Sequence, residues 1–329
     1  MSYTFLFLLT FTLTLVLTVT AIRILLPILT RRHIGQRILE IGPAWHSGKE
    51  GTPTMGGISF VISCIVSLIV TGGLLFRDLP PLFWRPMLLT LLFALGNAAI
   101  GAVDDLSKFR KKQNEGLTPI QKLILQVSVA AAYIALLQLY GYLDTTVYIP
   151  YFDRELDLGM LYYIPAILLA VGMVNFVNLT DGIDGLASST GLIYAAFFAV
   201  AATLLNEPPT MLLGTAMMAA CLGFLFYNRH PARLFMGDTG SLFLGGMGVG
   251  CGFLLGNPLL TVVVGGVFVL EGISVILQVG WYKITGRRIF LMAPLHHHLE
   301  KRGMSEDRIV LLFTILGIGF ALLAIPGLL

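Results

Sequence analysis

Ten stretches of predominantly apolar residues run through the chain, at about 4–27, 56–76, 84–103, 119–140, 160–179, 186–205, 210–227, 239–256, 258–280 and 307–328. Each has the length, roughly 20 residues, that carries an α-helix across a bilayer's hydrocarbon core. Inside that core every backbone N–H and C=O needs an internal partner, which leaves helices or a closed barrel. The stretches are continuous rather than alternating, and this argues against a barrel. Composition agrees: 56% of the 329 residues are hydrophobic and 12% are charged, against about a quarter charged in a soluble domain. The expected fold is an all-α, polytopic membrane protein of about ten helices. We expect one transmembrane domain over 1–329, with no room for a large soluble domain.

The connections alternate in charge. Most lysines and arginines fall in 28–55 (Arg31, Arg32, Arg37, Lys49), 104–122 (Lys108, Arg110, Lys111, Lys112, Lys122), 228–238 (Arg229, Arg233) and 281–308 (Lys283, Arg287, Arg288, Lys301, Arg302, Arg308). The excess of positive charge predicts that this face is cytoplasmic and that both termini lie outside. Residues 1–21 lack a basic start and a small-residue cleavage site, and so read as a retained first span. Cys64, Cys221 and Cys251 all sit in apolar stretches, without disulfide or zinc spacing, and are expected to be buried thiols. Segment 141–159 is expected to form a small hairpin on the opposite face.

Five polar clusters lie on the basic face. In Asn175-Phe-Val-Asn178-Leu-Thr-Asp181-Gly-Ile-Asp184-Gly185, two acids occupy a Gly-rich turn between two spans. A carboxylate at mid-bilayer costs roughly 2.5–3.5 kcal/mol, so acids retained close to the membrane need a purpose. The spacing lacks the alternating ligands of an EF-hand. It suits magnesium, which takes one or two carboxylates and completes its shell with water and phosphate. The structural alternative is an Asx-capped turn. Asp104-Asp105 closes the third span. Neighbouring carboxylates repel, and negative charge at a helix C-terminus opposes the macrodipole, so a base is favoured over a solvated helix end. Lys49 with Thr52, Thr54, Gly56 and Gly57 could receive an anion at the start of the second span, or serve only as cap and topology signal. In Asn228-Arg-His-Pro-Ala-Arg233-Leu-Phe235-Met-Gly237-Asp238, Asp238 could be a ligand or an N-cap. Asn228 could read a base edge, and Phe235 could stack on a nucleobase.

The fifth cluster, Pro294-Leu-His296-His297-His298-Leu-Glu300-Lys301, fails the inverted zincin pattern because Lys301 stands where histidine is required. Consecutive histidines on a helix also point in different directions, which favours phosphate or carboxylate recognition over zinc. Glu271 is the one acid deep in a span, beside Gly265-Gly266 and Gly272 where that helix is expected to bend; it reads best as a hydrogen-bonded structural acid.

Together, Gly51-Thr-Pro-Thr-Met-Gly-Gly57, Asp104-Asp105, Asn178-Leu-Thr-Asp-Gly-Ile-Asp-Gly-Leu186, Phe235-Met-Gly-Asp238 and Pro294-Leu-His-His-His-Leu-Glu300 resemble the polyprenyl-phosphate N-acetylhexosamine-1-phosphate transferase superfamily. The unbroken histidine run is similar to its MurNAc-pentapeptide branch, and the resemblance covers residues 31 to 300. It implies transfer of phospho-MurNAc-pentapeptide from UDP-MurNAc-pentapeptide to undecaprenyl phosphate, giving lipid I and UMP. It also implies Mg²⁺ dependence, an inner-membrane location among membrane lipids and a homodimer, with no nucleic-acid partner. On that basis Asp181 and Asp238 are the expected metal ligands. Asp104 or Asp105 is the expected base, and Lys49, Lys108, Lys112 and Lys122 supply positive potential. Asn175 and Asn178 would orient the site, Asn228 and Phe235 would take uracil, and His296, His297 and His298 would take the MurNAc-peptide. Thr52, Thr54 and Gly237 complete the substrate-binding set. A UDP-GlcNAc transferase is the nearest competing function. A nucleotide-sugar transporter is less favoured, because the chain largely lacks mid-membrane acids.

Overall fold

The computed structural model describes residues 2–31, 49, 51–77, 80–111, 116–149, 152 and 154–328. Its helices are α1 (Tyr3–Arg31), α2 (Gly57–Phe76), α3 (Pro81–Lys111), α4 (Pro119–Leu139), α5 (Tyr163–Thr180), α6 (Leu186–Leu204), α7 (Pro208–Asn228), α8 (Gly237–Leu254), α9 (Leu259–Val264), α10 (Gly266–Thr285), α11 (Leu295–Lys301) and α12 (Glu306–Ala324). Strands β1 (Thr146–Ile149) and β2 (Arg154–Asp157) form the expected hairpin, paired antiparallel with Thr146 opposite Asp157. The helix ends follow local chemistry. A capping box of Thr118 and Gln121 with Pro119 at the first position opens α4, and Gly286 with φ of 69° closes α10.

Every expected span corresponds to helix, with three instructive differences. First, α3 continues to Lys111, well past the expected limit of 103. Asp104 and Asp105 therefore lie inside the helix, and the macrodipole argument for them does not apply. Second, the ninth span is broken at Gly265 into α9 and α10, where the glycine pair predicted a bend. Third, nine helices among the described residues are long and apolar enough to cross a membrane, and α8 is not among them. Its glycines lower its hydropathy, yet it is buried from Thr239 to Phe253. It is the central helix, packed against α3, α5, α2 and α7. Small residues let backbones approach closely where lipid offers no hydrophobic drive. A Cβ at Gly245 would lie 2.7 Å from Cα of Val174 in α5. This close packing brings the ends of α3 and α5 against the first turn of α8.

A smaller apolar cluster of Ile183, Leu186, Val267, Ile309 and Phe313, with Leu295 and Leu299 packed on it, seats α11 and α12 against the α5–α6 turn. The three cysteines are buried free thiols.

Candidate functional site

The first turn of α8 presents backbone N–H groups with no partner inside the helix. Asp105 supplies the partner from α3. Its carboxylate accepts from Asp238 N at 3.1 Å, Thr239 N at 3.0 Å and the Thr239 hydroxyl at 2.7 Å. A carboxylate at a helix N-terminus also meets the positive end of the macrodipole. Asp105 thus acts as a cap supplied in trans, and Asp238 itself makes no capping bond. Gly237, just before, has φ of +73°, and a Cβ there would lie 2.9 Å from Asp105 Oδ2. Alongside, Phe235 N donates to Pro53 O and Gly56 N to Phe235 O, both at 2.8 Å. These bonds hold the segment with Thr52 and Thr54 beside Phe235 and Gly237, and all four side chains or backbones are half-buried.

Asp238 projects from this turn into a nest of charge. Its Oδ2 accepts from Lys122 Nζ at 2.8 Å and Lys108 Nζ at 3.4 Å, while Oδ1 accepts from Asn178 Nδ2 at 3.0 Å. Lys122 also donates to Asn178 Oδ1 at 3.2 Å. Asp104 pairs with Lys108 at 2.6 Å and accepts from Leu117 N at 2.8 Å. Carboxylate oxygens of Asp104, Asp105 and Asp238 lie within 4.8 Å of one another. Three carboxylates facing two ammonium groups form a hard-oxygen donor set of the kind that suits a divalent cation.

Asp181 caps the end of α5, half-buried, and lies outside that 4.8 Å group. Its carboxyl is pushed up to about 8 by desolvation and by the negative charges of Asp238, Asp105 and Asp184; a hydrogen bond from the Gly237 N–H opposes the shift. The part of that shift owed to Asp238, Asp105 and Asp184 is repulsion that a bound cation would offset.

Asp184 belongs to a different cluster, although the sequence places it only three residues on. It is buried and accepts from Lys49 Nζ at 2.7 Å, Ala232 N at 2.9 Å and the facing His230 Nδ1 at 3.1 Å. Glu306, at the start of α12, accepts from the same Lys49 at 2.6 Å and from Asp184 N at 3.0 Å. Asp181 and Asp184, three residues apart, share no helix face, because α5 stops at Thr180. Lys49 bridges two carboxylates here rather than standing free for phosphate.

Asn228 differs from expectation more sharply. It is 2% exposed. Its Oδ1 accepts from Gly185 N at 3.2 Å and Ser188 Oγ at 2.7 Å, and its Nδ2 donates to Leu234 O at 3.1 Å. With its amide so engaged, Asn228 ties the Asp181–Gly185 turn to the loop before α8. Asn175 donates to Gln126 Oε1 and to Val171 O, both at 2.8 Å, one helical turn deeper than Asn178.

The three histidines point to three environments, as their spacing predicts. His296 is fully buried, so it makes no surface contact with a peptide. His297 faces Glu300 at 2.6 Å, and His298 Nδ1 accepts from Leu291 N at 3.1 Å. Lys112 lies outside the described residues. Two participants escaped the sequence reading: Glu306, at an ordinary helix start, and His230, inside a quoted motif but given no role. Neither carries a spacing signal, since their partners are remote in the chain.

The family description "Glycosyl transferase family 4" matches residues 87–255, a stretch that contains Asp104, Asp105, Asp181 and Asp238. Over 302 residues the chain is 45% identical to the phospho-N-acetylmuramoyl-pentapeptide-transferase of Bacillus subtilis (strain 168), covering 92% of this chain and 91% of that protein. The chain belongs to glycosyl transferase family 4. Two further relatives carry the same name. That of Shouchella clausii (strain KSM-K16) is 45% identical over 92% of this chain and 91% of its own length. That of Staphylococcus epidermidis (strain ATCC 12228 / FDA PCI 1200) is 41% identical over 90% and 91%. The family match begins within α3 and ends just after α8, so this glycosyl transferase family 4 segment covers the helices that build the acidic cluster.

Proposed function

We propose that this multi-pass membrane enzyme transfers phospho-MurNAc-pentapeptide from UDP-MurNAc-pentapeptide to undecaprenyl phosphate, releasing UMP, in peptidoglycan synthesis. The observation that carries the reading is the meeting of Asp104, Asp105 and Asp238 with Lys108 and Lys122, in a chain whose similar relatives bear the transferase name. In this reaction a phosphate oxygen of the lipid attacks the sugar-linked phosphorus. A new P–O bond forms, the P–O bond to UMP breaks, and UMP leaves with the electron pair. Two anions must approach each other, so charge neutralisation is the first requirement.

Asp238 and Asp181 would hold Mg²⁺, with Asp104 beside them. The ion would neutralise pyrophosphate oxygens and the leaving UMP. Lys122 and Lys108, drawn to Asp238 in the ligand-free protein, would turn to phosphate oxygens when substrate arrives. Asp105 holds the α8 terminus in place. Asp104 is then the better acceptor for a lipid phosphate proton, because its ion-pair partner Lys108 is half-exposed and the Asp105 carboxylate is committed to the α8 terminus. Attack in one step fits a phosphate monoester that is already a competent nucleophile. Phe235, His297 and His298 remain on the substrate side of this reading. The basic face would be cytosolic, at the inner membrane, with both termini outside, and the working form would be a homodimer.

The deciding experiment compares UMP release from UDP-MurNAc-pentapeptide and from UDP-GlcNAc, with undecaprenyl phosphate, in Mg²⁺ and in chelator. Release from the first substrate only, lost in chelator and restored by Mg²⁺, is the expected result. Preference for UDP-GlcNAc, or full activity in chelator, refutes it.

A further inference from the structure

Glu271 and His296 are both fully buried and lie on different helices, α10 and α11. Glu271 Oε1 accepts from His296 N at 3.1 Å, and Oε2 stands 3.2 Å from His296 Nδ1. A buried carboxylate is expensive unless paired, and a buried pair contributes little net stability, so its retention asks for another purpose. The far side of the ring suggests one. Among the described residues neither ring nitrogen of His296 has a hydrogen-bond partner, and Nε2 packs on Gly182 so closely that a Cβ there would overlap it. Gly182 immediately follows Asp181.

We infer that Glu271 is a positioning residue for the Asp181 turn, acting through the His296 ring. The carboxylate anchors His296 through its backbone N–H, and its second oxygen lies 3.2 Å from ring Nδ1 without completing a hydrogen bond, so the ring is held by that anchor and by close packing. The ring then forms a rigid stop beneath Gly182 and sets where the Asp181 carboxylate points. The turn is clamped from its other end by Glu306 on Asp184 N and by Asn228 on Gly185 N, so its position is determined from both sides. The inference rests on the reading of Asp181 as a metal and phosphate contact.

The test uses full-length protein in detergent with the variants Glu271→Gln, Glu271→Leu, Gly182→Ala and the Glu271→Leu/Gly182→Ala double. Four quantities are read: kcat for UMP release, KM for the UDP-sugar, Mn²⁺ affinity by electron paramagnetic resonance, and unfolding temperature. A misplacement of about 1 Å costs on the order of 100-fold in rate. Glu271→Leu and Gly182→Ala should each lower kcat by at least about tenfold, weaken Mn²⁺ binding and leave KM within about threefold. The double variant should be no worse than the worse single, because both changes release the same turn. Glu271→Gln keeps a carbonyl acceptor for the His296 N–H, the one hydrogen bond between the two residues, and should stay within about threefold of wild type. Multiplicative losses in the double, wild-type kcat in Gly182→Ala, or a Glu271→Gln as impaired as Glu271→Leu at an unchanged unfolding temperature would each overturn the inference. If Glu271→Leu fails to fold, Gly182→Ala and Glu271→Gln decide. Wild-type protein that releases no UMP refutes the function itself; unaltered Mn²⁺ affinity in Gly182→Ala refutes the positioning role whatever the substrate.

Discussion

Replacing Asp105 by asparagine separates scaffold from chemistry at the heart of the cluster. The carboxylate, 8% exposed, receives three donors: two N–H groups of the first turn of α8 and the Thr239 hydroxyl. A hydrogen bond to a charged group is worth about 1.5–3 kcal/mol, and a lost helix cap about 0.5–2 kcal/mol. Asparagine keeps one carbonyl oxygen as an acceptor, but its amide nitrogen now faces donors it cannot satisfy. The three bonds share one anion and are not additive, so a total cost of about 3 kcal/mol is the reasonable figure. About 1.4 kcal/mol corresponds to tenfold, so up to roughly 100-fold of metal affinity or kcat would disappear if the cost falls on the placement of Asp238. The assay is a paired one: Mn²⁺ or Mg²⁺ affinity and unfolding temperature on one preparation, kcat for UMP release on another. Asp105→Asn should lower all three together. A variant with native stability and native metal affinity but no turnover would refute the capping argument and make Asp105 a chemical participant.

Two other outcomes follow from the same geometry. Asp181, its carboxyl raised to about 8, holds a proton in the folded metal-free protein that the unfolded chain releases near its ordinary value of 3.8. Asp181's contribution to the stability of the metal-free protein should therefore be fully present below that ordinary value and be lost as pH rises towards 8, with Asp181→Asn removing that part of the dependence in thermal unfolding. Metal binding must displace the same proton, so Mg²⁺ affinity should rise about tenfold per pH unit below 8 and level off above it; a flat profile from pH 6 to 8 would exclude Asp181 as a ligand. Gly237→Ala combines a left-handed φ of +73° with a Cβ 2.9 Å from Asp105 Oδ2. Strain of about 1–2 kcal/mol is expected from the backbone alone, with a lower unfolding temperature and weaker metal binding.

The helices and most of their ends were legible in the sequence because their causes are local. Apolar runs of membrane length and the Gly265-Gly266 break act on residues within a few positions of one another. The acidic motifs were legible as residue types, since hard oxygen donors among basic residues suggest phosphate and a divalent cation in any fold. Their allegiance was not. Asp181 and Asp184 are three residues apart, yet one faces Asp238 and the other faces Lys49 and Glu306. Asn228 was legible as a polar residue at the site, but its tie between two loops was not. Glu271 was legible as a hydrogen-bonded structural acid, but its partner, the His296 N–H 25 positions further on, was not.

By itself, then, the sequence determined a helical membrane chain with its polar chemistry gathered at one end, because hydrophobic length and charge placement are properties of short segments. Only the tertiary structure decided which carboxylate holds a helix end, which one pairs with a lysine and which turn rests on a buried imidazole. Those choices depend on partners as far as 257 residues apart, such as Lys49 and Glu306, and on the close approach that the glycines of α8 allow. Hydrogen bonds and ion pairs act over a few ångströms of space, and the linear spacing of residues carries no record of which distant groups packing brings within that reach.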